Sequence, residues 1–561
     1  MIHLLVLCVM AGADARRHQA GLYTTSAAPS LDAPPITTTP SGVFRGSWMT
    51  TRKGLKIEGY RGVRYAEPPV GELRFQPPKL ITTYKEEVDA TKEGPACPQP
   101  VENDYPVDED CLRLNVYTRG HKGKLLPVIV YMHPGGFYSV SGRSDVAGPD
   151  YLLDREVVLV SINYRLASLG FLSTGDKYAP GNNGFKDQVM ALRWVQRNIA
   201  SFGGDPNLVT IAGYSAGSFS VLLHMVSPMS KDLFHRAISM SGSPISQIEI
   251  PHHQRHLAVK QAQLLNVPSD SSKAIIEGLR TKTSKEIGDS LLGFFEFAYD
   301  PTLIWEPIVE DDFGQERFLT MQPIESIKQG KLHAVPYIIS QTSDEFFWKA
   351  FNVLENETLL NTMNNEWYRI APISFYLSPS TARHAADRLK EFYLNGKPLV
   401  NDKASADGLG KLYNDAIIGF GVHRTANLMA RYSPKPVYYY EFSYIGNHSH
   451  YEDPKTKKPV GAAHHDDLIY LFGVTASFPI IKQSDSLDSK QVDKMTAIWY
   501  NFVRHGDPNP KGDIPEISSL SWPAMKPDCR KYMRIGKDFS VQENLFEERF
   551  KVWEELYPLK K

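Results

Sequence analysis

The chain is poor in three things. It has four cysteines in 561 residues, too few for a body held together by disulfides. It has no charge of either sign to spare: 62 Lys and Arg stand against 63 Asp and Glu, a net charge of −1. A nucleic-acid surface needs a basic stripe and an anionic membrane attracts a polybasic run, so neither is an expected partner. Past its first residues it has no apolar run near the ~20 residues of a membrane span. What it does have is length and 42% hydrophobic residues, enough for a large core. Big α/β bodies run this long without a second domain.

The ends are distinct from the middle. Residues 2–10 (IHLLVLCVM) are a short apolar run, and Ala13-Asp14-Ala15 fits a small-x-small cleavage site. Residues 1–15 are therefore expected to be an export signal, though without the usual basic start. Residues 16–40, rich in Ser, Thr, Ala and Pro, read as a flexible leader, and the globular body is expected over 41–561. The sequence closes on Y-P-L-K-K, so no lipid-anchor tail is expected. Cys8 would leave with the signal. In an oxidising compartment Cys97 and Cys111 are the natural pair, and closing that loop is worth about 3 kcal/mol by chain entropy. Cys529 is then a free, buried thiol. Asn356-Glu-Thr and Asn447-His-Ser are glycosylation acceptors, in keeping with secretion.

The body alternates two patterns. Strands are expected at 125–133 (LLPVIVYMH), 157–163 (VVLVSIN), 209–212, 237–240, 335–340 and 437–444. The unbroken apolar run at 157–163 suits a strand buried on both faces. Residues 186–199 read as an amphipathic helix, with Val189, Leu192, Val195 and Ile199 at three- and four-residue spacing. Residues 250–435 are more helical and are expected to form a cap. Strands alternating with helices imply an α/β fold: a large, mostly parallel sheet with helices on both faces.

The sharpest local feature is G-Y-S-A-G at 213–217. It lies between the 209–212 strand and a helix expected at 216–226 (AGSFSVLLHMV). A chain that leaves a strand and enters a helix in about five residues turns sharply. Small residues two before and two after Ser215 relieve the crowding, and the hydroxyl is left exposed at a helix start. That suits a nucleophile.

A serine hydroxyl needs a base, an acid that orients the base, and donors for an oxyanion. H-P-G-G-F at 133–137 follows a strand, so the N–H groups of Gly135 and Gly136 can meet a developing charge. Ala216 supplies a third N–H from the helix start. The base candidate is His464, in the small-residue loop G-A-A-H-H-D-D at 461–467, with His465 beside it. The acid candidate is Glu345, just past the 335–340 strand, with Asp344 beside it.

These motifs, taken together, resemble the type-B carboxylesterase/cholinesterase family of the α/β-hydrolases. The resemblance covers about residues 41–561 and is most like secreted insect carboxylesterases. Y-A-E-P-P-V-G-E-L-R-F at 65–75 resembles the family's N-terminal signature. E-D-C-L-R-L-N at 109–115 resembles its signature around the second cysteine of the first disulfide. N-Y-R-L at 163–166, residues 184–188 and F-G-G-D-P at 202–206 lead into the serine turn as family members do. The resemblance implies the α/β-hydrolase fold and a catalytic set of Ser215, Glu345 and His464, which selects them over Asp344 and His465. It also implies oxyanion donors at Gly135, Gly136 and Ala216, a Cys97–Cys111 disulfide, and Ser241 supporting the acid from behind. No metal or organic cofactor is implied.

Several positions depart from the family pattern. Pro134 replaces the first glycine of the oxyanion loop and stiffens it. Tyr214 precedes the serine where Glu, Gln or His is usual, and Phe346 replaces a glycine after the acid; both are expected to reshape the pocket. Val267 and Gly278 stand where many members carry a second disulfide. The 97–111 loop holds no tryptophan for a cation–π contact, which argues against acetylcholine. Trp305 and Phe346 are candidate pocket liners. The resemblance implies a secreted serine hydrolase of small-molecule carboxylic esters, serving detoxification or the turnover of odorant or hormone esters. Two alternatives are a juvenile-hormone esterase, which would more often carry Gln before the serine, and a non-catalytic adhesion ectodomain like the neuroligins and glutactin.

Overall fold

The structure is a computed structural model that describes residues 33–100, 105–120, 123–453 and 455–559. The expected signal at 1–15, with Cys8, and residues 16–32 of the expected leader lie outside the described residues.

An eleven-stranded sheet organises the chain. From one edge its strands run Phe539–Glu543, Lys531–Ile535, Val437–Phe442, Tyr337–Thr342, Arg236–Met240, Gly204–Tyr214, Leu126–Met132, Val158–Ile162, Arg113–Thr118, Lys56–Arg64 and Ser47–Thr50. The run from Lys531–Ile535 to Val158–Ile162 is parallel throughout, and the outer pairs are antiparallel. The alternation of side chains divides the core in two. Val128, Val130 and Met132 face one core, and Ile129 and Tyr131 face the other. The helix Ala216–Val226 covers the first face with Val221, Leu222 and Met225; the helix Leu487–His505 covers the second with Met495, Ile498, Trp499 and Phe502. Burial on both sides explains why the central strands read as near-continuous apolar runs.

The order of the strands creates the place for a site. After Leu126–Met132 the chain adds Val158–Ile162 on one side, then returns to add Gly204–Tyr214 on the other. The direction of winding reverses there, so two strands end side by side with their following loops splayed apart. Ligands of open α/β sheets bind at such a switch point, outside the carboxyl ends of the strands. The loops leaving these two strands carry Gly135, Gly136 and Ser215.

Between the strands Arg236–Met240, Tyr337–Thr342 and Val437–Phe442 the chain inserts the helices of the cap, among them Trp348–Leu354, Lys403–Asn414 and Phe420–Tyr432. The last two are joined by a π-helical turn, Asp415–Gly419. The cap positions named in the sequence, Val267 and Gly278, lie against each other, so an apolar contact occupies the place of a second disulfide.

Two expectations are corrected. The ordered body begins before Ser41: Ile36–Thr39 pairs antiparallel with Gly42–Arg45 in a small separate sheet. The Ser/Thr-rich composition read as leader, but Ile36 and three threonines are β-branched and suit a strand. Cys529 is partly exposed rather than buried. Cys97 and Cys111 are joined in a disulfide. Among the described residues no helix is long and apolar enough to cross a membrane.

Candidate active site

Ser215 sits at the turn between the strand Gly204–Tyr214 and the helix Ala216–Val226, with φ 54° and ψ −118°. An L-residue in such a region is strained by about 1–3 kcal/mol, and persists there only when its surroundings leave no alternative. Here they are explicit. The Ser215 N–H donates to the Met240 carbonyl at 2.9 Å, and the Ser215 carbonyl accepts the first helical bond from the Phe219 N–H at 3.0 Å. A Cβ on Gly213 would collide with the Gly217 carbonyl, and one on Gly217 with the Met132 carbonyl. The two glycines are therefore required by close backbone approach, and the strand, turn and helix clamp the serine between them. Ser215 keeps part of its surface open to a cavity.

The loop after Leu126–Met132 forms the opposite wall. Gly135 (φ +107°) and Gly136 (φ +58°) both line the cavity. The Gly135 carbonyl is turned away, accepting from the N–H groups of Tyr138 and Ser139, each at 2.9 Å. The loop's root is fixed by His133, whose ring stacks on Tyr164 and whose Nδ1–H donates to the Pro134 carbonyl at 2.7 Å. Burial pushes His133 down to about 4, so it stays neutral. No N–H of Gly135, Gly136 or Ala216 is taken up by a hydrogen bond among the described residues.

Glu345 and His464 come from the loops after the strands Tyr337–Thr342 and Val437–Phe442. The His464 Nδ1–H donates to Glu345 Oε2 at 2.5 Å, and the His464 backbone N–H donates to the Glu345 carbonyl at 2.9 Å. The Thr342 N–H donates to Glu345 Oε1 at 2.7 Å, and the Glu345 N–H donates to Asn414 Oδ1 at 2.8 Å. The carboxylate is fully buried and fixes the tautomer of the imidazole, so Nε2 is left as the acceptor. His464 Nε2 has no hydrogen-bond partner among the described residues, and His464 lines the same cavity as Ser215. Phe346 lies against the His464 ring, 4.4 Å between centroids, and also lines the cavity.

The neighbours sort differently. Asp344 is tied to Ser343 and to the Ala462 carbonyl, away from the cavity. His465 reaches the cavity but has no carboxylate partner among the described residues; burial, then the nearby His464 and His450, push it well below the usual histidine range. The loop that presents His464 is stapled by Asp466, which accepts from the Ala463 N–H, the Ser449 hydroxyl and the His450 N–H. Tyr214 does not line the cavity. It lies under the histidine loop, fully buried, and its hydroxyl accepts the His465 N–H at 2.8 Å.

Two further expectations are corrected. Among the described residues the Ser241 hydroxyl makes no hydrogen bond to Glu345; its backbone, at φ 52°, is pinned to the Ser340 carbonyl. The Thr342 N–H and Asn414 support the acid instead. Trp305 is fully buried against Phe294 and leaves the lining to Leu303. The π-helical turn adds Ile417 and Ile418 to the wall. Asn414 and this turn had no signature in the sequence; such turns recur at functional sites because one extra residue redirects the side chains.

A model of the carboxylesterase family matches residues 33–553. The chain belongs to the carboxylesterase family. Esterase FE4 of Myzus persicae is 38% identical over 530 residues, covering 91% of this chain and 90% of that protein. Juvenile hormone esterase of Tribolium castaneum is 36% identical over 505 residues, covering 86% of this chain and 85% of that protein. The crystal structure of juvenile hormone esterase from Manduca sexta, with OTFP covalently attached, superposes with a TM-score of 0.82 at 27% identity. The match covers 94% of this chain and 100% of that one. This carboxylesterase is thus a carboxylic-ester hydrolase with the α/β-hydrolase fold, and its substrates are small-molecule esters.

Proposed function

We propose that this esterase works through an acyl-enzyme on Ser215. The observation that carries the reading is His464: its Nδ1–H is held by Glu345, its Nε2 is without a partner among the described residues, and the residue lines the same cavity as Ser215. Ser215 Oγ attacks the ester carbonyl carbon while His464 Nε2 takes its proton. The carbonyl oxygen becomes an anion, received by the N–H groups of Gly135, Gly136 and Ala216; losing one such donor costs about 3–4 kcal/mol of barrier. His464 returns the proton to the departing alcohol oxygen as the C–O bond breaks. Water, deprotonated by His464, then attacks the acyl carbon; the bond to Ser215 Oγ breaks, Oγ takes the proton back from His464, and the carboxylic acid leaves. Glu345 steadies the imidazolium that forms in both halves.

The test is additivity. Ser215→Ala and His464→Ala each lose on the order of 10⁶-fold in kcat toward a p-nitrophenyl ester, and the double variant loses no more, because the residues act as one unit. Multiplying losses would refute the shared mechanism. A p-nitrophenyl ester series of increasing acyl length, read on the same preparation, maps the acyl side of the cavity.

The enzyme is further proposed to be exported through residues 1–15 and glycosylated at Asn356 and Asn447. The Cys97–Cys111 bond suits an oxidising compartment. Asn356 is exposed at the head of the helix Glu357–Asn365. Asn447 is exposed as well, although its amide donates to Asp488 at 2.7 Å.

A further inference from the structure

A second recess adjoins the Ser215 cavity, and Phe219, Leu303 and Ile417 line both. Beyond them its walls mix apolar residues, Ile250, Pro251 and Pro307 among them, with the uncharged polar side chains of Ser246 and Gln247. One carboxylic side chain stands inside, Glu306, and another, Glu249, at its exposed end. Among the described residues no Lys, Arg or His lines the recess.

Glu306 is an exception among the enclosed carboxylates of its own segment. Glu310 is paired with Lys186 at 2.5 Å and bonded by Asn182. Asp300 is paired with Lys349 at 2.8 Å and bonded by Ser374. The Glu306 carboxyl has no hydrogen bond or ion pair among the described residues, yet part of its surface is open. Burial alone pushes it up to about 7, and no charged neighbour offsets that push. An enclosed carboxylate without a partner is costly, and a bound group that donates a proton to it recovers that cost.

We propose that the Glu306 recess is a subsite for the cationic end of an ester substrate: a protonated amine pairs with Glu306 while the ester carbonyl sits at Ser215. The assignment deepens the esterase reading and rests on it. A neutral chain can enter the same recess along its apolar residues, but leaves Glu306 unpaired. An ammonium pairs with Glu306, and no cation in the recess wall repels it on the way in. The other titratable groups on the recess wall are Glu249, at its exposed end, and Tyr376, whose phenol burial holds well above its usual range, so Tyr376 does not change charge near neutrality.

The experiment compares matched p-nitrophenyl esters, one ending in dimethylammonium and one in isopropyl, as a ratio of kcat/KM. Any pH effect on the Ser215 chemistry itself acts on both esters and cancels in the ratio. In the native enzyme the ratio rises about tenfold from pH 6 to pH 8, as a carboxyl with a pKa of about 7 goes from mostly protonated to mostly ionised. In Glu306→Gln and Glu306→Leu the ratio drops at least about tenfold at pH 8 and loses its pH dependence, while the isopropyl ester keeps its kcat/KM within about threefold. A ratio unmoved by pH and by both substitutions overturns the proposal. Calorimetric binding of a dimethylalkylammonium ion to Ser215→Ala, with and without Glu306→Gln, reads the subsite without turnover. Loss of binding with Glu306→Gln supports the subsite even where the Ser215 mechanism fails, and equal binding overturns it.

Discussion

Glu345 and His464, 119 residues apart in the chain, meet through a 2.5 Å hydrogen bond from which solvent is almost wholly excluded. The bond does two things: it selects the tautomer with the proton on Nδ1, and it places a negative charge where an imidazolium must form. Glu345→Gln keeps the shape and the oxygen that accepts the Thr342 N–H, but removes the charge and lets the ring adopt the wrong tautomer. The expected result is a loss of about 10⁴-fold in kcat with the thermal midpoint little changed, measured on the same preparation. A loss under about tenfold would mean that the pair is structural.

The strain at Ser215 has its own signature. Alanine and glycine both remove the hydroxyl, but only glycine adopts φ 54° and ψ −118° freely. Ser215→Gly is expected to be more stable than Ser215→Ala by ~1–2 kcal/mol in urea unfolding. Equal stability would mean that the turn is relaxed.

Acid should weaken the fold through its buried imidazoles. Burial holds His133 down to about 4, His224 to about 3, and His465 well below its usual range. Unfolded, each takes a proton near ~6.5. Between about pH 6.5 and 4 the unfolded chain therefore binds more protons, so stability falls as pH falls, by up to about 1.4 kcal/mol per pH unit for each histidine. Asp467 opposes this. Burial, then the nearby Glu345, raise it to about 7, so across the same window the folded state holds the extra proton and stability falls as pH rises. Asp467→Asn is expected to steepen the acid-side decline in urea midpoints measured at about pH 4.5, 5.5 and 6.5, and His224→Gln to flatten it.

Tyr214 anchors the histidine loop from below. Tyr214→Phe removes the acceptor of the buried His465 N–H, at a cost of about 1–3 kcal/mol in stability. Because His464 is the neighbouring residue, kcat is expected to fall about tenfold or more with KM little moved. A change in KM alone would place Tyr214 in substrate binding, against its position outside the cavity.

How much of this was legible follows from the range of each signal. The serine turn is local: a strand, two glycines and a helix start lie close together in sequence, and the helix Ala216–Val226 falls where its spacing placed it. The strands Leu126–Met132 and Val158–Ile162 were equally plain, being buried on both faces. Glu345 and His464 were distinguishable from Asp344 and His465 only through the family resemblance, since neighbours in one polar loop carry nearly the same local signal. Asn414 and the π-helical turn gave none, because a backbone N–H meeting a side chain 69 residues away leaves no periodicity. Ser241 and Trp305 were misplaced for the same reason: residue type suggests a role, but the direction of the side chain is set by tertiary packing.

The most direct measurement is the site of covalent capture. A fluorophosphonate phosphonylates a serine only where a base takes its proton and amide donors receive the phosphoryl oxygen. Peptide mass spectrometry of the labelled enzyme is expected to place a single adduct on Ser215, abolished in Ser215→Ala and strongly slowed in His464→Ala. An adduct on any other residue, or a folded enzyme that takes no label, would contradict the account.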